Sequence, residues 1–377
     1  MLGKESMSDF SHVIDPLIIA ELRERLEGRL IALCFGAGVD STAMMVALKV
    51  AGITPSVITF ADLKSEKSAT YAHLAKMQEV MKDWGWPEIS VVSKETLDST
   101  EYNDLYGNCT SNQTLPSLAF GMKSCSLKWK AMPQDNFLMG VKRGPNKKDS
   151  HPVWDEAKSS GMKIIKLIGY DCGKADMRRS KNIPAEDANF EYYYPLQIVG
   201  WKRQECVQAI IDVLGENYVP VKSACFFCPA SKEWELYWLA AYEPDLLEKA
   251  LYMERVALTG RHSRFDTLIV GKSWEEMITS GERFPSSSTT VGLGRSFAWN
   301  QWAYDNQVVD EEFNVLRTPE KQLEFISKSG QLQKSDNALD VRGKKVINIV
   351  EVEALQSPAR AYQPGKQLSL YEDLALS

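Results

Sequence analysis

Leu30-Ile31-Ala32-Leu33-Cys34-Phe35-Gly36-Ala37-Gly38-Val39-Asp40-Ser41-Thr42 is the stretch whose reading decides the fold. Its first six residues form a compact apolar run, the pattern of a strand buried on both faces of a parallel sheet. A turn of small residues follows from Gly36 to Thr42, and the next stretch, Ala43 onward, reads as a helix that stops at Gly52. Backbone N–H groups in such a turn converge on a phosphate only where side chains do not crowd them, a condition that Gly36, Ala37 and Gly38 meet. The helix N-terminus brings partial positive charge to the same point, and Ser41 and Thr42 add hydroxyl donors. Asp40 is an acid beside a phosphate site, with helix capping, loop bracing and Mg²⁺ binding as the duties open to it. No lysine precedes the Ser-Thr pair, as a Walker A loop requires, and the second downstream glycine of a dinucleotide fingerprint is missing.

Working outward, residues 15–28 read as a short amphipathic helix before this strand. After it come an apolar run from Pro55 to Ala61, a helix over 66–83 and a third strand from Glu88 to Ser93. Strand, helix, strand, helix, strand in that order predicts an α/β chain with a doubly wound parallel sheet. Residues 95–135 are less periodic, and 142–151 read as an exposed basic loop. Lys163 to Asp171 reads as a further buried strand, 201–214 as a helix and 231–258 as two helices. The pattern weakens beyond residue 280, with a boundary at the Ser/Thr run 286–290 and one late strand from Lys344 to Val352. The expected organisation is an N-terminal helix (1–29), a nucleotide-binding α/β domain (30–258), a C-terminal extension (259–356) and a flexible tail (357–377).

Of 377 residues, 44% are hydrophobic and 25% charged, an ordinary globular composition. The net charge of −6 excludes a generic polyanion binder, so contact with nucleic acid requires a local basic patch. No run of about 18 apolar residues and no signal-peptide core is present, so a cytoplasmic, reducing location is expected. There the seven cysteines read as thiols or metal ligands rather than as a disulfide framework.

The turn resembles the PP-loop, the Ser-Gly-Gly-x-Asp-Ser type of the adenine nucleotide α-hydrolases, with Gly36 in place of the usual Ser and Ala37 in place of the first Gly. More of the chain is similar to the phosphoadenosine-phosphosulfate-reductase-like branch of that superfamily, including its phage and mobile-element versions. The matching stretches run in the family's order across roughly residues 30–258. They are Phe60-Ala61-Asp62 with Glu66 and Thr70-Tyr71, Leu115-Pro116-Ser117, Cys125-Ser126-Leu127-Lys128-Trp129-Lys130, Gly169-Tyr170-Asp171 with Arg178 and Arg179, Tyr194-Pro195-Leu196, and Cys225-Phe226-Phe227-Cys228-Pro229. The resemblance implies an adenine nucleotide α-hydrolase-like, Rossmann-like sheet with its ligand at the carboxyl edge. It implies ATP or an adenylyl nucleotide with Mg²⁺ held by Gly36, Ala37, Gly38, Ser41, Thr42, Asp62, Lys128 and Arg179, and Asp40, Ser41 and Arg178 at the reacting centre. Arg178 and Arg179 either face that edge, where two guanidiniums suit a phosphate or sulfate, or lie on a solvated helix face. Lys130 is a similar candidate, and Trp129 reads as packing.

Cys225 and Cys228 have the spacing that brings two thiolates onto one metal or cluster. Iron–sulfur members of the family pair such a motif with a cysteine element in mid-chain, which Cys125 resembles, with Cys109 as the nearby substitute for a missing second cysteine. Three cysteines would hold a 4Fe–4S cluster with one open iron. Four would make a closed site for iron–sulfur or Zn²⁺, and two buried thiols flanking aromatic packing is the plain alternative. Cys34 reads as core, and Cys172 and Cys206 as structural.

The family's thiol-dependent reductases use a cysteine in a C-terminal tail, but no cysteine follows Cys228, which disfavours sulfonucleotide reduction by that route. The superfamily's other route is ATP pyrophosphatase chemistry, in which an adenylated substrate accepts sulfur or nitrogen; such enzymes modify tRNA or DNA. A non-catalytic nucleotide-binding module is the third reading. Gln367-Leu368-Ser369-Leu370-Tyr371 resembles the bacterial sliding-clamp-binding peptide, with Tyr for Phe, and points to DNA rather than tRNA.

Overall fold

Five strands pair side by side, all parallel, in the order β3-β2-β1-β4-β5. They are β1 (Ile31–Phe35), β2 (Val57–Asp62), β3 (Ile89–Ser93), β4 (Ile164–Ile168) and β5 (Phe190–Tyr193). This computed structural model describes residues 12–142, 144, 147–259, 292–294 and 297–339. β1 is central: Cys34 is in register with Thr59 of β2 and with Ile168 of β4. β1 and β2 are buried almost throughout, which is why they read as continuous apolar runs. The chain winds outward from β1 to β3, then returns past β1 to β4 and β5. The order therefore reverses between β1 and β4, and a crevice opens there at the strands' carboxyl ends.

Helices cover both faces. One face packs α1 (Pro16–Leu26), α2 (Val39–Val50) and α3 (Ser68–Trp84) against the sheet, joined by the segment Arg203–Leu214. Leu22, Met44, Leu48, Met77 and Ile210 meet Ile31, Leu33, Phe60 and Leu167 in that core. The opposite face has a smaller core in which Leu138, Trp154 and Ala157 cover Ala32, Val57 and Ile164. Between β3 and β4 run α4 (Leu105–Ser111), a π-helical turn (Leu127–Ala131), α5 (Met132–Met139) and α6 (Pro152–Ser160). Beyond β4 come α7 (Lys174–Lys181), α8 (Pro195–Val199) and α9 (Arg203–Leu214).

A second, helical core lies beside the sheet. It is built by α10 (Glu233–Tyr242), α11 (Pro244–Thr259), α12 (Trp299–Asp305) and α13 (Pro319–Leu339). Leu236, Leu239, Leu251, Trp299 and Phe325 pack here with Leu63, Leu105 and Trp129 from the sheet side. Glu254 pins α12 to α11: its buried carboxylate accepts from the N–H groups of Leu293, Trp299 and Asn300 at 2.6–2.8 Å and from the Asn300 side chain. The described part of the expected C-terminal extension thus shares a core with residues well before it. The boundary at 286–290, the strand at Lys344 to Val352 and the tail lie outside the described residues. Among the described residues, no helix is long and apolar enough to cross a membrane.

Candidate functional site

The turn between β1 and α2 stands at the crevice. Ala37 adopts φ 51°, the left-handed region that glycine takes most readily. Ser41 closes the turn on itself: its Oγ accepts from the Gly38 N–H at 3.2 Å and donates to the Gly38 carbonyl at 3.1 Å. Two other segments press on the turn where side chains are absent. A Cβ on Gly38 would lie 2.6 Å from Ser223 Oγ, and one on Gly169, just past β4, would lie 2.9 Å from the Ser41 nitrogen.

A cavity of about 930 Å³ opens from this turn. Gly36, Gly38, Asp40 and Ser41 line one side, and Gly169 and Tyr170 continue it from β4. Its floor is polar: Lys166 projects from the middle of β4, buried, in an ion pair with Asp135 and with its Nζ 3.7 Å from the centroid of Phe190. Trp234, Trp238 and Tyr242 of α10 and Ile326 and Ser329 of α13 form the far wall. Lys130, Arg203, Lys222 and Lys232 also reach the cavity; with Lys166 they outnumber its acidic lining residues, Asp40 and Asp135, although Lys130, Lys166, Arg203 and Lys222 each pair with a carboxylate.

Asp40 sits among charges. Arg203 approaches its Oδ1 at 2.9 Å, and one oxygen each of Asp40, Asp171 and Asp176 lie within 4.8 Å of one another. Burial pushes the Asp40 carboxyl up to about 7; Asp171 and Asp176 push it the same way, while Arg203 and Arg179 oppose. Three carboxylate oxygens so placed suit a hard divalent cation such as Mg²⁺, whose charge would relieve that crowding.

Several expected residues are elsewhere. Thr42 follows Ser41 by about 100° around the helix, so it points away from the cavity; it is fully buried, its Oγ1 2.9 Å from His73 Nε2. Burial pushes His73 down to about 4, so it pairs as a neutral ring. Asp62 is buried and outside the cavity, its Oδ1 accepting from the Lys64 N–H and the Tyr71 hydroxyl. Lys128 and Arg178 are exposed and do not line the cavity, whereas Lys130, two residues after Lys128, does. Arg179 pairs with Asp176 at 2.6 Å, reaching the site through that carboxylate. Cys34, expected in the core, borders the cavity.

Cys225 and Cys228 are hydrogen-bonded to each other, Cys228 drawn down to about 7 chiefly by that bond while Cys225 is raised. Cys109, on α4, is pushed up to about 12 by burial, with Cys125 adding to the effect. All four belong to or pack against the helical core. No three of these sulfurs lie within 4.8 Å of one another. Thiolates around one Zn²⁺ sit roughly 3.8 Å apart, as tetrahedral bonds of about 2.3 Å require, a closer spacing than any three of the four have here. Cys206 is buried in the sheet core, and Cys172 donates to the Leu196 carbonyl at 3.7 Å.

Arg203, Lys166, Asp135, Lys222 and Ser223 had no local signal of site membership, except that Lys166 is a charge inside an apolar strand pattern. Compared with protein-family models and with curated proteins, the sequence finds no match.

Proposed function

We propose that the chain is a PP-loop-type enzyme that binds ATP or an adenylyl nucleotide at Gly36–Ser41 and adenylates an acceptor, releasing pyrophosphate, so that sulfur or nitrogen can be inserted. The observation that carries this reading is the small-residue turn at the sheet's switch point, opening into a cavity lined by several lysines and an arginine. Its fold-level part is an adenine nucleotide α-hydrolase-like sheet, which the strand order supports. The acceptor's nucleophilic oxygen attacks the α-phosphorus, the bond to the bridging oxygen breaks, and pyrophosphate leaves with that electron pair. A sulfur or nitrogen nucleophile then displaces AMP from the activated carbon.

The chain's own part is positioning and charge. Main-chain amides of the turn and Ser41 hold phosphate oxygens, and Arg203, Lys130 and Lys222 offset charge that builds on the leaving group. Asp40, Asp171 and Asp176 would hold Mg²⁺, which supplies further neutralisation of the pyrophosphate. The proposal requires no iron–sulfur cluster. The aromatic far wall and the lysines suit a nucleic-acid acceptor, DNA or tRNA.

The test is pyrophosphate release from ATP with Mg²⁺, in separate reactions with bulk tRNA and with DNA. The reading expects release that needs one of them and drops at least about a hundredfold in Ser41→Ala or Asp40→Ala. Equal release in wild type and both variants contradicts it.

A further inference from the structure

Ser223 presses on Gly38 from outside the sheet, and Pro220, Val221 and Lys222 line the cavity beside it. What fixes this short segment is Glu235, in the first turn of α10 and without exposed surface. Glu235 Oε2 accepts from Lys222 Nζ at 2.5 Å and from the Lys232 N–H at 2.9 Å. Its Oε1 accepts from Lys67 Nζ at 2.9 Å. Lys67 is itself only 1% exposed, lies over the Trp238 ring at 5.7 Å, and reaches the Lys222 carbonyl at 3.5 Å.

One carboxylate, Glu235, lies between the two ammonium groups, and a second, Glu243, faces Lys67 from the end of α10. Lys67 is sealed in, whereas Lys222 presents its ammonium to the cavity, its side chain 42% exposed. Glu235 and the Ala230 carbonyl, at 3.2 Å, take two of the three ammonium donors of Lys222. A lysine held in this way gives up less side-chain freedom on binding an anion than a free surface lysine does.

We propose that residues 220–223 are the second jaw of the phosphate cradle. Lys222 and Ser223 bind the terminal phosphates of ATP and the pyrophosphate that leaves, opposite the turn at Gly36–Ser41. Glu235 and Lys67 are positioning residues that aim Lys222. The inference rests on the nucleotide reading above and adds to it a subsite for the polyphosphate end.

The experiment is calorimetric titration of the full chain with ATP, inorganic pyrophosphate and AMP in Mg²⁺, with thermal unfolding recorded for each variant. Lys222→Ala is expected to weaken ATP and pyrophosphate roughly tenfold or more and AMP less than about twofold, and Lys222→Arg to restore most of the loss. Glu235→Gln is expected to weaken the same two ligands while sparing AMP. Should Lys222→Ala not fold, Lys222→Gln takes its place. Equal ATP affinity in wild type and the folded Lys222 variants overturns this proposal and leaves the nucleotide reading standing. Parallel losses for ATP and AMP also overturn it, because they mark a general structural role. A wild-type chain that binds no ATP overturns both.

Discussion

Arg203 Nη1 lies 2.9 Å from Asp40 Oδ1, tying the start of α9 to the first turn of α2. The pair joins two segments far apart in sequence at the mouth of the Gly36–Ser41 turn. Arg203 offsets only part of the cost of burying Asp40, because Asp171 and Asp176 add like charge from the other side. The carboxyl therefore titrates near neutrality, well above its ordinary value.

That shift sets a pH dependence. Between pH 3.8 and about 7 the folded chain holds a proton on Asp40 that the unfolded chain has lost. The contribution of Asp40 to stability therefore falls as pH rises through this window. In chelator, the Tm of the wild-type chain is expected to drop across it more than that of Asp40→Asn, and added Mg²⁺ to recover more of the loss in wild type. Identical pH profiles for the two proteins would show that Asp40 is an ordinary carboxylate.

Ser41 and Thr42 are adjacent hydroxyls with opposite duties. Thr42→Val removes the partner of His73 inside the core and is expected to cost about 1–2 kcal/mol of stability in urea unfolding, with nucleotide affinity within about twofold of wild type. Ser41→Ala is expected to do the reverse, losing affinity with little change in stability. A Thr42→Val variant that folds as well as wild type but loses nucleotide binding would place Thr42 back in the cradle.

Gly169 has backbone, not a flexible side chain, where its Cβ would go. Gly169→Ala must push β4 away from the Ser41 turn, at an expected cost of about 1–3 kcal/mol and a visible loss of nucleotide affinity. Gly121, whose Cβ would meet nothing within 4 Å, is a control for the affinity measurement, since Gly121→Ala strains only its own left-handed backbone. Equal nucleotide affinity in both variants would show that β4 does not brace the turn.

Lys67 and Glu235 are both buried, so removing one strands the other. Glu235→Leu leaves Lys67 without its counter-charge and is expected to cost about 3–5 kcal/mol, while the double change Lys67→Met with Glu235→Leu recovers part of it. Chemical denaturation of the two variants measures the difference. A Glu235→Leu chain as stable as wild type would mean that Lys67 finds water or another acceptor.

β1, β2 and β4 were legible in the sequence because burial on both faces writes a nearly unbroken apolar run, and β3, at the sheet's edge with Val91 exposed, was legible from its Ile and Val residues. β5 was not: Phe190 is buried, but Glu191, Tyr192 and Tyr193 are only partly covered at the sheet's edge. α12 and α13 were missed because their packing residues, Trp299, Trp302 and Phe325, are scattered among polar neighbours and answer to α10 and α11. In the site, Gly36, Gly38, Asp40 and Ser41 were readable because their geometry is local. Arg203 and Lys222 were not, since only the fold brings them to the turn; for Arg178 the charge run left the sheet edge and a solvated helix face both open, and it lies exposed outside the cavity. Of the two candidate lysines, Lys128 and Lys130, the π-helical turn presents Lys130 to the cavity.

The central claim is that the main chain from Gly36 to Ser41 receives a nucleotide's phosphates. Titration of ATP with Mg²⁺ into the full chain, wild type against Gly36→Val, tests it most directly. The account predicts saturable binding at one site, weakened at least about tenfold by the variant while its thermal unfolding shows that it still folds. No binding by a folded wild-type chain, or the same affinity in both proteins, would contradict it.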